Sequence, residues 1–416
     1  MSKILKLLKP ISSFHRHVMA VLLLAVAFNA TSQDPLATGN DKFLGNVYSS
    51  SQQTDYTQYW NQVTPENGGK WGSVEGTRDY MRWGTMDAAY ALARDNGFPF
   101  KQHVMIWGSQ QPEWIDELST EEQLEEIIEW FSELSARYPD IDIVEVVNEP
   151  LHAPPSYAAA LGGSGETGWD WIISSFELAR TYFPNAKLIL NDYGILGSNE
   201  NINKYLRIVR LLIERELIDQ LGVQGHAFTV NDLDPVTITS NLNALASAGL
   251  PLFVTELDID GNTDENQLSR YRKVFPALWE HPDVKGITLW GWRPGMWRTE
   301  QKAYLINSVG TERPALRWLR QYVYFTTTGT MLLETPNVES IPKIYPNPIS
   351  DGNIFITGEQ ADMSIQLFNL QGKKVLPLTQ IAYNRLETPL MPGVYLAKVF
   401  VNGALKSTQR IIIQSE

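Results

Sequence analysis

Two glutamates stand out by where they fall. Glu149 closes the run Val146-Val147-Asn148-Glu149 just before Pro150, and Glu256 closes Phe253-Val254-Thr255-Glu256 just before Leu257. An apolar run that ends in a carboxylate buries its stem and delivers the acid to an edge. Two such groups brought face to face can divide the work of bond cleavage. One, protonated, gives its proton to a leaving oxygen, while the other attacks carbon or activates water.

Comparable closures recur along the middle of the chain. They comprise Glu66, Asn67 and Lys70; His103 and Trp107; Asn148 beside Glu149; Asn191, Asp192 and Tyr193; Gln224 and His226; Asp258 beyond Glu256; and Trp290 with Trp297. A single polar residue at a strand end is ordinarily a helix cap or a solvated turn. Repeated closures that mix carboxylates, amides, histidines and tryptophans describe the wall of one cleft. Facing carboxylates among flat aromatic rings suit the hydrolysis of a glycosidic bond.

The elements that must carry these groups alternate. Short apolar runs at Phe43 to Val47, Gln62 to Thr64, Gln102 to Ile106, Ile143 to Val147, Leu188 to Leu190, Val223 to Gln224, Leu252 to Thr255 and Gly286 to Trp290 read as strands. Helical periodicity separates them. Ser119 and Glu122 have capping-box spacing ahead of Leu124, Ile127, Ile128, Phe131 and Leu134. Further helices are expected at Met81 to Asn96, Trp169 to Tyr182, Asn201 to Glu216, Val236 to Ala248 and Asp264 to Trp279. Repeated strand–helix units suit an α/β fold, a (β/α)8 TIM barrel with its chemistry at the C-terminal strand ends; a doubly wound open sheet is the alternative.

From Lys42 to Val323 these landmarks resemble glycoside hydrolase family 10, the endo-β-1,4-xylanases. They arrive in the family's order: Thr64-Pro65-Glu66-Asn67 with Lys70-Trp71; His103 with Trp107, Gln110, Pro112 and Trp114; Val147-Asn148-Glu149; Asn191-Asp192-Tyr193; Gly222-Val223-Gln224-Gly225-His226; Thr255-Glu256-Leu257-Asp258; and Trp290-Gly291 before Trp297. The resemblance implies a retaining double displacement with Glu149 as acid/base and Glu256 as nucleophile. It implies that His226 hydrogen-bonds Glu256 and that Asp258 orients that histidine. Asn148 would bind the sugar 2-hydroxyl, and Gln224 would line the same cleft. Glu66, Asn67, Lys70, His103 and Gln110 would bind sugars on the non-reducing side. Trp107, Trp290 and Trp297 would form apolar walls, and Tyr193 would meet the leaving group. The sequence departs from the family pattern at Gly108, where a histidine is usual, and in the loop Trp292-Arg293-Pro294-Gly295-Met296-Trp297, which lacks a common acid.

Composition and the chain's ends complete the reading. A net charge of −13 disfavours a nucleic-acid partner, and zero cysteines exclude disulfides, thiolate metal sites and thiol nucleophiles. Residues 1–30 join a basic start to a short apolar run ending in Ala25-Val26-Ala27, which reads as a secretory signal peptide too short to span a bilayer. The barrel is expected over residues 38–325 and a linker over 326–340. In residues 341–416 alternating runs flank Gln371-Gly372 and Asn402-Gly403, the pattern of hairpins in a small all-β sandwich. Ile344-Tyr345-Pro346-Asn347-Pro348, Gly352-Asn353-Ile354 and Pro392-Gly393-Val394-Tyr395 resemble the C-terminal sorting domain of the type IX secretion system, implying that machinery as a partner; an accessory carbohydrate-binding module is the alternative.

Other motifs carry less. Gly163-Ser164-Gly165-Glu166-Thr167-Gly168 matches a dinucleotide fingerprint but lacks the preceding strand, and Asp258, Asp260, Asn262 and Asp264 mimic a calcium loop with its glycine misplaced. The six histidines show no metal-ligand spacing, so neither metal nor cofactor is expected. The expected protein is a secreted or cell-surface hydrolase of xylan or xylo-oligosaccharide, with no transmembrane segment in the mature chain. The alternatives are an endo-glycanase acting on another β-glucan or a decorated xylan, and a non-catalytic glycan binder.

Overall fold

Strands buried on both faces read as near-continuous apolar runs, and the strands of a barrel covered by helices are of this kind. The computed structural model describes residues 34–328 and, with short gaps, 342–414. The proposed leader and most of the proposed linker lie outside the described residues. The chain divides between Thr330 and Met331 into two compact units.

The first unit holds strands β1 (Phe43–Tyr48), β2 (Val63–Pro65), β3 (Lys101–Gln102), β4 (Ile143–Asn148), β5 (Lys187–Asp192), β6 (Gln220–Val223), β7 (Leu252–Leu257) and β8 (Val284–Leu289). All pair in parallel in the order β2-β1-β8-β7-β6-β5-β4-β3, and a parallel bridge from Val63 to Phe100 joins the two ends. This is a (β/α)8 barrel, not an open sheet. Its long helices are α1 (Gly84–Asn96), α2 (Thr120–Arg137), α3 (Asp170–Tyr182), α4 (Asn199–Ile213), α5 (Pro235–Ala246), α6 (Asp264–Trp279) and α7 (Pro314–Thr328).

Local contacts explain where element ends differ from expectation. Helix α1 starts at Gly84 rather than Met81 because the Arg82 amide is drawn to Val74 O at 2.8 Å. Helix α4 starts early, where the Ser198 side chain accepts from Asn201 N–H, and ends at Ile213 as Leu217 N–H turns back to Leu212 O. The expected third strand forms a ladder only over Lys101–Gln102; Ile106 rejoins β4 by a single bridge to Val147. Strand β6 stops at Val223, one residue before Gln224. Helix α7 was not anticipated, although Ala315, Leu316, Leu319, Tyr322 and Val323 bury one helical face. Helix α2 carries the anticipated capping box, with Ser119 and Glu122 exchanging hydrogen bonds.

The barrel interior changes character along its axis. At the N-terminal end Phe43, Ile143, Ile189 and Phe253 make an apolar plug. Gly286 makes room for it, since a Cβ there would lie 2.3 Å from Phe43 Cζ. One layer further on, the inward residues are Gln62, Lys101, Glu145, Asn191, Thr255 and Thr288, all buried. Buried polar groups must be paired with one another, and here Thr288 donates to Gln62 at 2.8 Å and Thr255 to Asn191 at 2.6 Å. The site stands on this layer.

The second unit has a three-stranded sheet ordered β13-β10-β9 and a four-stranded sheet ordered β12-β11-β14-β15, both antiparallel. Its strands are β9 (Ile344–Tyr345), β10 (Asn353–Ile356), β11 (Met363–Asn369), β12 (Lys374–Gln380), β13 (Arg385–Glu387), β14 (Gly393–Val401) and β15 (Ala404–Ile413). Ile344, Ile354 and Ile356 of one sheet share a core with Ile365, Leu367, Val399 and Ile411 of the other. Asn402 and Gly403 both take positive φ, 50° and 77°, as a tight hairpin turn requires.

Replacing Gly286 by alanine is expected to destabilise the full chain by about 1–3 kcal/mol, because the Phe43 ring has no free space to enter. A lowered urea midpoint with unchanged slope would register it; an unchanged midpoint would show that the plug can repack.

Candidate active site

Glu256 lies at the C-terminal end of β7 and is only 4% exposed. Its Oε1 accepts from Asn191 Nδ2 at 2.8 Å and its Oε2 lies 3.2 Å from His226 Nε2. The other nitrogen of His226 meets Asp258 Oδ2 at 2.7 Å, and Asp258 also accepts from the Ala227 amide at 2.7 Å and from Trp297 Nε1 at 2.9 Å. Burial alone would push the Glu256 carboxyl up. The His226 hydrogen bond and the charges of His103, His226 and Lys101 outweigh it, holding the group at about 2. Burial likewise disfavours charge on His226, but Asp258 and Glu256 raise it to about 9. The imidazolium therefore donates to both carboxylates.

Glu149 follows β4 and is half-buried, with positive φ of 54°. Its Oε2 accepts from Trp107 Nε1 and its Oε1 from Gln224 Nε2, both at 2.9 Å. The same Gln224 nitrogen lies 3.2 Å from Asn148 Oδ1, which accepts from Asn191 Nδ2 at 3.1 Å. Amide groups thus link the two glutamates: Gln224 holds Glu149, Asn191 holds Glu256, and Asn148 joins them.

Beneath this line lies a second set of charges. Lys101, 1% exposed, places Nζ 3.5 Å from Glu145 Oε2 and 3.2 Å from Thr255 O. Glu145 Oε1 takes His103 Nδ1 at 2.9 Å and Asn191 Nδ2 at 3.1 Å. Sequence reasoning gave Lys101 and Glu145 no role, and it placed Asn191 in the cleft wall without assigning it a partner. The signal was there for Glu145, a charge inside Ile143-Val144-Glu145-Val146-Val147, since a charged side chain in a buried strand must have a buried partner.

The remaining predicted residues surround these carboxylates. Lys70 is buried, donates to Asn67 Oδ1 at 2.8 Å and stands 5.0 Å from the Trp107 ring centre. Burial lowers its ammonium below the ordinary range against the opposing pull of Glu256, Glu66, Glu145 and Glu149. Glu66 is buried beside it. Their loop is fixed from outside by a stack of Trp71, Trp130 and Trp83, with centroids 6.1 and 6.0 Å apart. Trp290 packs on His103 at 4.9 Å, while Trp297, 49% exposed, roofs His226 at 4.7 Å. Tyr193 stacks on His152 at 3.9 Å, and His152 is held by buried Asp192 at 2.7 Å. Burial raises the Asp192 carboxyl to about 6, against the hydrogen bonds it accepts from Leu151 N–H and His152. Gln110 stands apart from this group: its side chain is exposed and its carbonyl takes Gly72 N–H at 3.2 Å.

Gly108 has a steric explanation. A Cβ there would lie 2.4 Å from Pro154 O and 2.8 Å from Ala153 O, so the loop after Glu149 occupies the space a side chain would need.

Two groups among the described residues bring three possible metal ligands together: His103, Glu145 and Glu256, and Glu75, Asp79 and Glu126. In each a side-chain cation already answers the charge, Lys101 in the first and Arg78, paired with Glu126, in the second.

The pH dependence of stability follows. His226 holds its proton more tightly folded than unfolded, so its contribution is complete below about 6.5 and is lost as pH rises through about 9. Glu256 is the mirror case, contributing above about 4.5 and losing that contribution as pH falls towards about 2. The urea midpoint should be higher at pH 6 than at pH 9.5, and His226→Asn should flatten that decline. An equal decline in the variant would assign it to other groups.

Comparison with known proteins places these features. Residues 28–322 match the model for glycosyl hydrolase family 10, and residues 343–414 match that for a secretion system C-terminal sorting domain. Endo-1,4-beta-xylanase B of Cellvibrio japonicus is 41% identical over 281 residues, covering 67% of this chain and 45% of the relative. An endo-1,4-beta-xylanase of Agaricus bisporus is 29% identical over 279 residues, covering 63% of this chain and 83% of the relative. Among solved structures, native xylanase 10B of Thermotoga maritima superposes with a TM-score of 0.62 at 21% identity, covering 71% of this chain and 98% of that one. At that identity the likeness speaks for the barrel alone. The family model spans most of the chain, including all eight barrel strands, so this chain belongs to glycosyl hydrolase family 10 and carries a C-terminal sorting domain.

Proposed function

We propose that this chain is a secreted or cell-surface endo-1,4-β-xylanase that cleaves internal bonds of xylan with retention of configuration. The 41% identity to a relative named as such supports the substrate, and the sorting domain supports export. Among the described residues no helix is long and apolar enough to cross a membrane. The observation that carries the mechanism is the unequal setting of the two glutamates. Glu256 is buried and held ionised by Asn191 and His226, while Glu149 is half-buried and held by two neutral donors, Trp107 and Gln224.

An ionised, aimed carboxylate is what a nucleophile needs. In the first step Glu256 attacks the anomeric carbon as the glycosidic C–O bond breaks, and Glu149 passes its proton to the departing oxygen. The product is a glycosyl ester on Glu256 and a free sugar hydroxyl. In the second step Glu149, now a carboxylate, takes a proton from water as that water attacks the same carbon and releases Glu256. Asn148, held by Gln224 and Asn191, is placed to meet the 2-hydroxyl. Glu66, Asn67, Lys70, His103 and Gln110 bind the sugars that remain attached. Trp107, Trp290 and Trp297 cover sugar faces, and Tyr193 meets the leaving group. The type IX machinery recognises the tail.

Proton NMR of the first product from xylo-oligosaccharide tests the chemistry, with a β-anomer expected. An initial α-anomer would mean inversion and overturn the nucleophile assignment. Glu256→Ala should lower turnover of every substrate by roughly 10⁴-fold or more. Glu149→Ala should lose xylan hydrolysis yet still release 4-nitrophenolate from its β-xylobioside, because that leaving group needs no proton. Equal loss on both substrates would remove Glu149 from the acid role, and wild-type binding without turnover would mark a glycan-binding protein.

A further inference from the structure

Beyond the residues already given roles, one exposed ring lies in the cleft. Phe228 sits two residues past His226 in the one-turn helix Ala227–Val230 that follows β6, and is 56% exposed. Its centroid is 5.8 Å from Tyr193, 5.4 Å from His226 and 6.4 Å from Trp297. It meets the rings of Tyr193 and Trp297 edge-on, at 82° and 88°. Three rings from the loops after β5, β6 and β8 therefore form one continuous surface.

A lone exposed phenylalanine says little. Exposed rings in mutual contact at the mouth of a polar cleft mark a surface that another molecule covers. The barrel fixes which part of a glycan that would be. The loops after β2 and β3 carry Glu66, Asn67, Lys70 and His103, and the sheet order sets β5 and β6 on the opposite side of the barrel. Glu149, which hands its proton to the departing oxygen, follows β4, next to Tyr193 at the end of β5. A glycan lying over both glutamates thus sends its leaving portion across Tyr193 and then Phe228. His152, stacked at 3.9 Å, covers one face of Tyr193 and holds that ring still, so the surface is formed before substrate arrives.

We propose that Phe228 is a stacking platform for a β-1,4-linked pyranosyl ring of the leaving portion, beyond the sugar that Tyr193 meets. The assignment rests on the endo-glycanase reading above and deepens it: this cleft prefers substrates with at least two sugars on the leaving side. Pyranose rings present C–H groups on their faces, and an exposed aromatic ring is the surface that shields them from water.

The test compares full-length wild type, Phe228→Ala and Phe228→Tyr on xylohexaose and on 4-nitrophenyl β-xylobioside, whose leaving group ends at Tyr193. In Phe228→Ala the ratio of kcat/KM for xylohexaose to that for the aryl substrate should fall about tenfold, chiefly through KM. Phe228→Tyr should restore the ratio. Cleavage of xylohexaose by Phe228→Ala should also shift towards bonds that leave a single sugar. An unchanged ratio, or a ratio that Tyr does not restore, would overturn the platform. If the wild-type chain turns over neither substrate, the endo-glycanase reading falls, and this assignment with it.

Discussion

A carboxylate kept ionised inside a barrel is the constraint from which the rest of this site follows. Taking Glu256 out of water carries a desolvation cost that a single partner does not offset, and one partner removed would leave an uncompensated charge. The chain answers with Asn191 and His226 as direct donors, and with Lys101 and His103 beneath. Each of these is itself buried and must be satisfied in turn. Asp258 balances His226, Glu145 balances Lys101 and His103, and Thr255 completes Asn191. The polar second layer of the barrel is this chain of obligations, set on an apolar plug.

The network also makes the two glutamates unequal without separating them. Asn148, Asn191 and Gln224 come from the ends of three adjacent strands, and neutral amides at those positions transmit geometry without adding charge. A shift of one strand end would therefore move both carboxylates. Gly108 serves the same geometry from the side, since the loop after Glu149 packs where a side chain would stand. No larger side chain has room at that point, and Trp107 and Gln224 are the donors that hold Glu149.

Tryptophan is used in two different ways. Trp60, Trp130 and Trp292 are fully buried and brace the shell, and the Trp130 stack stiffens the loop that bears Lys70. Trp107, Trp290 and Trp297 stand over polar groups of the cleft, two of them donating to Glu149 and Asp258. A large ring with one N–H suits both tasks, because it fills volume and fixes a carboxylate together. The exposed Phe228 has no such polar handle, which leaves apolar contact as what it can offer.

Much was legible in the sequence because it is written locally. Apolar runs of strand length, helical spacing, the Ser119–Glu122 box and the Asn402-Gly403 turn depend on neighbours a few residues away, and the barrel and tail follow from them. The positions of Glu149, Glu256, His226 and Asp258 at strand ends were legible for the same reason. Pairings across the barrel were not. Lys101 with Glu145, Asn191 with Glu256, and His152 with Tyr193 and Asp192 join residues 40 or more apart in sequence, except where Asp192 and Tyr193 adjoin. No local pattern encodes which inward side chains share a layer; that depends on strand register. The sequence alone determined that Glu149, Glu256, His226 and Asp258 follow apolar runs at strand ends. Closure of the barrel decided which of them touch, and so which carboxylate is held charged.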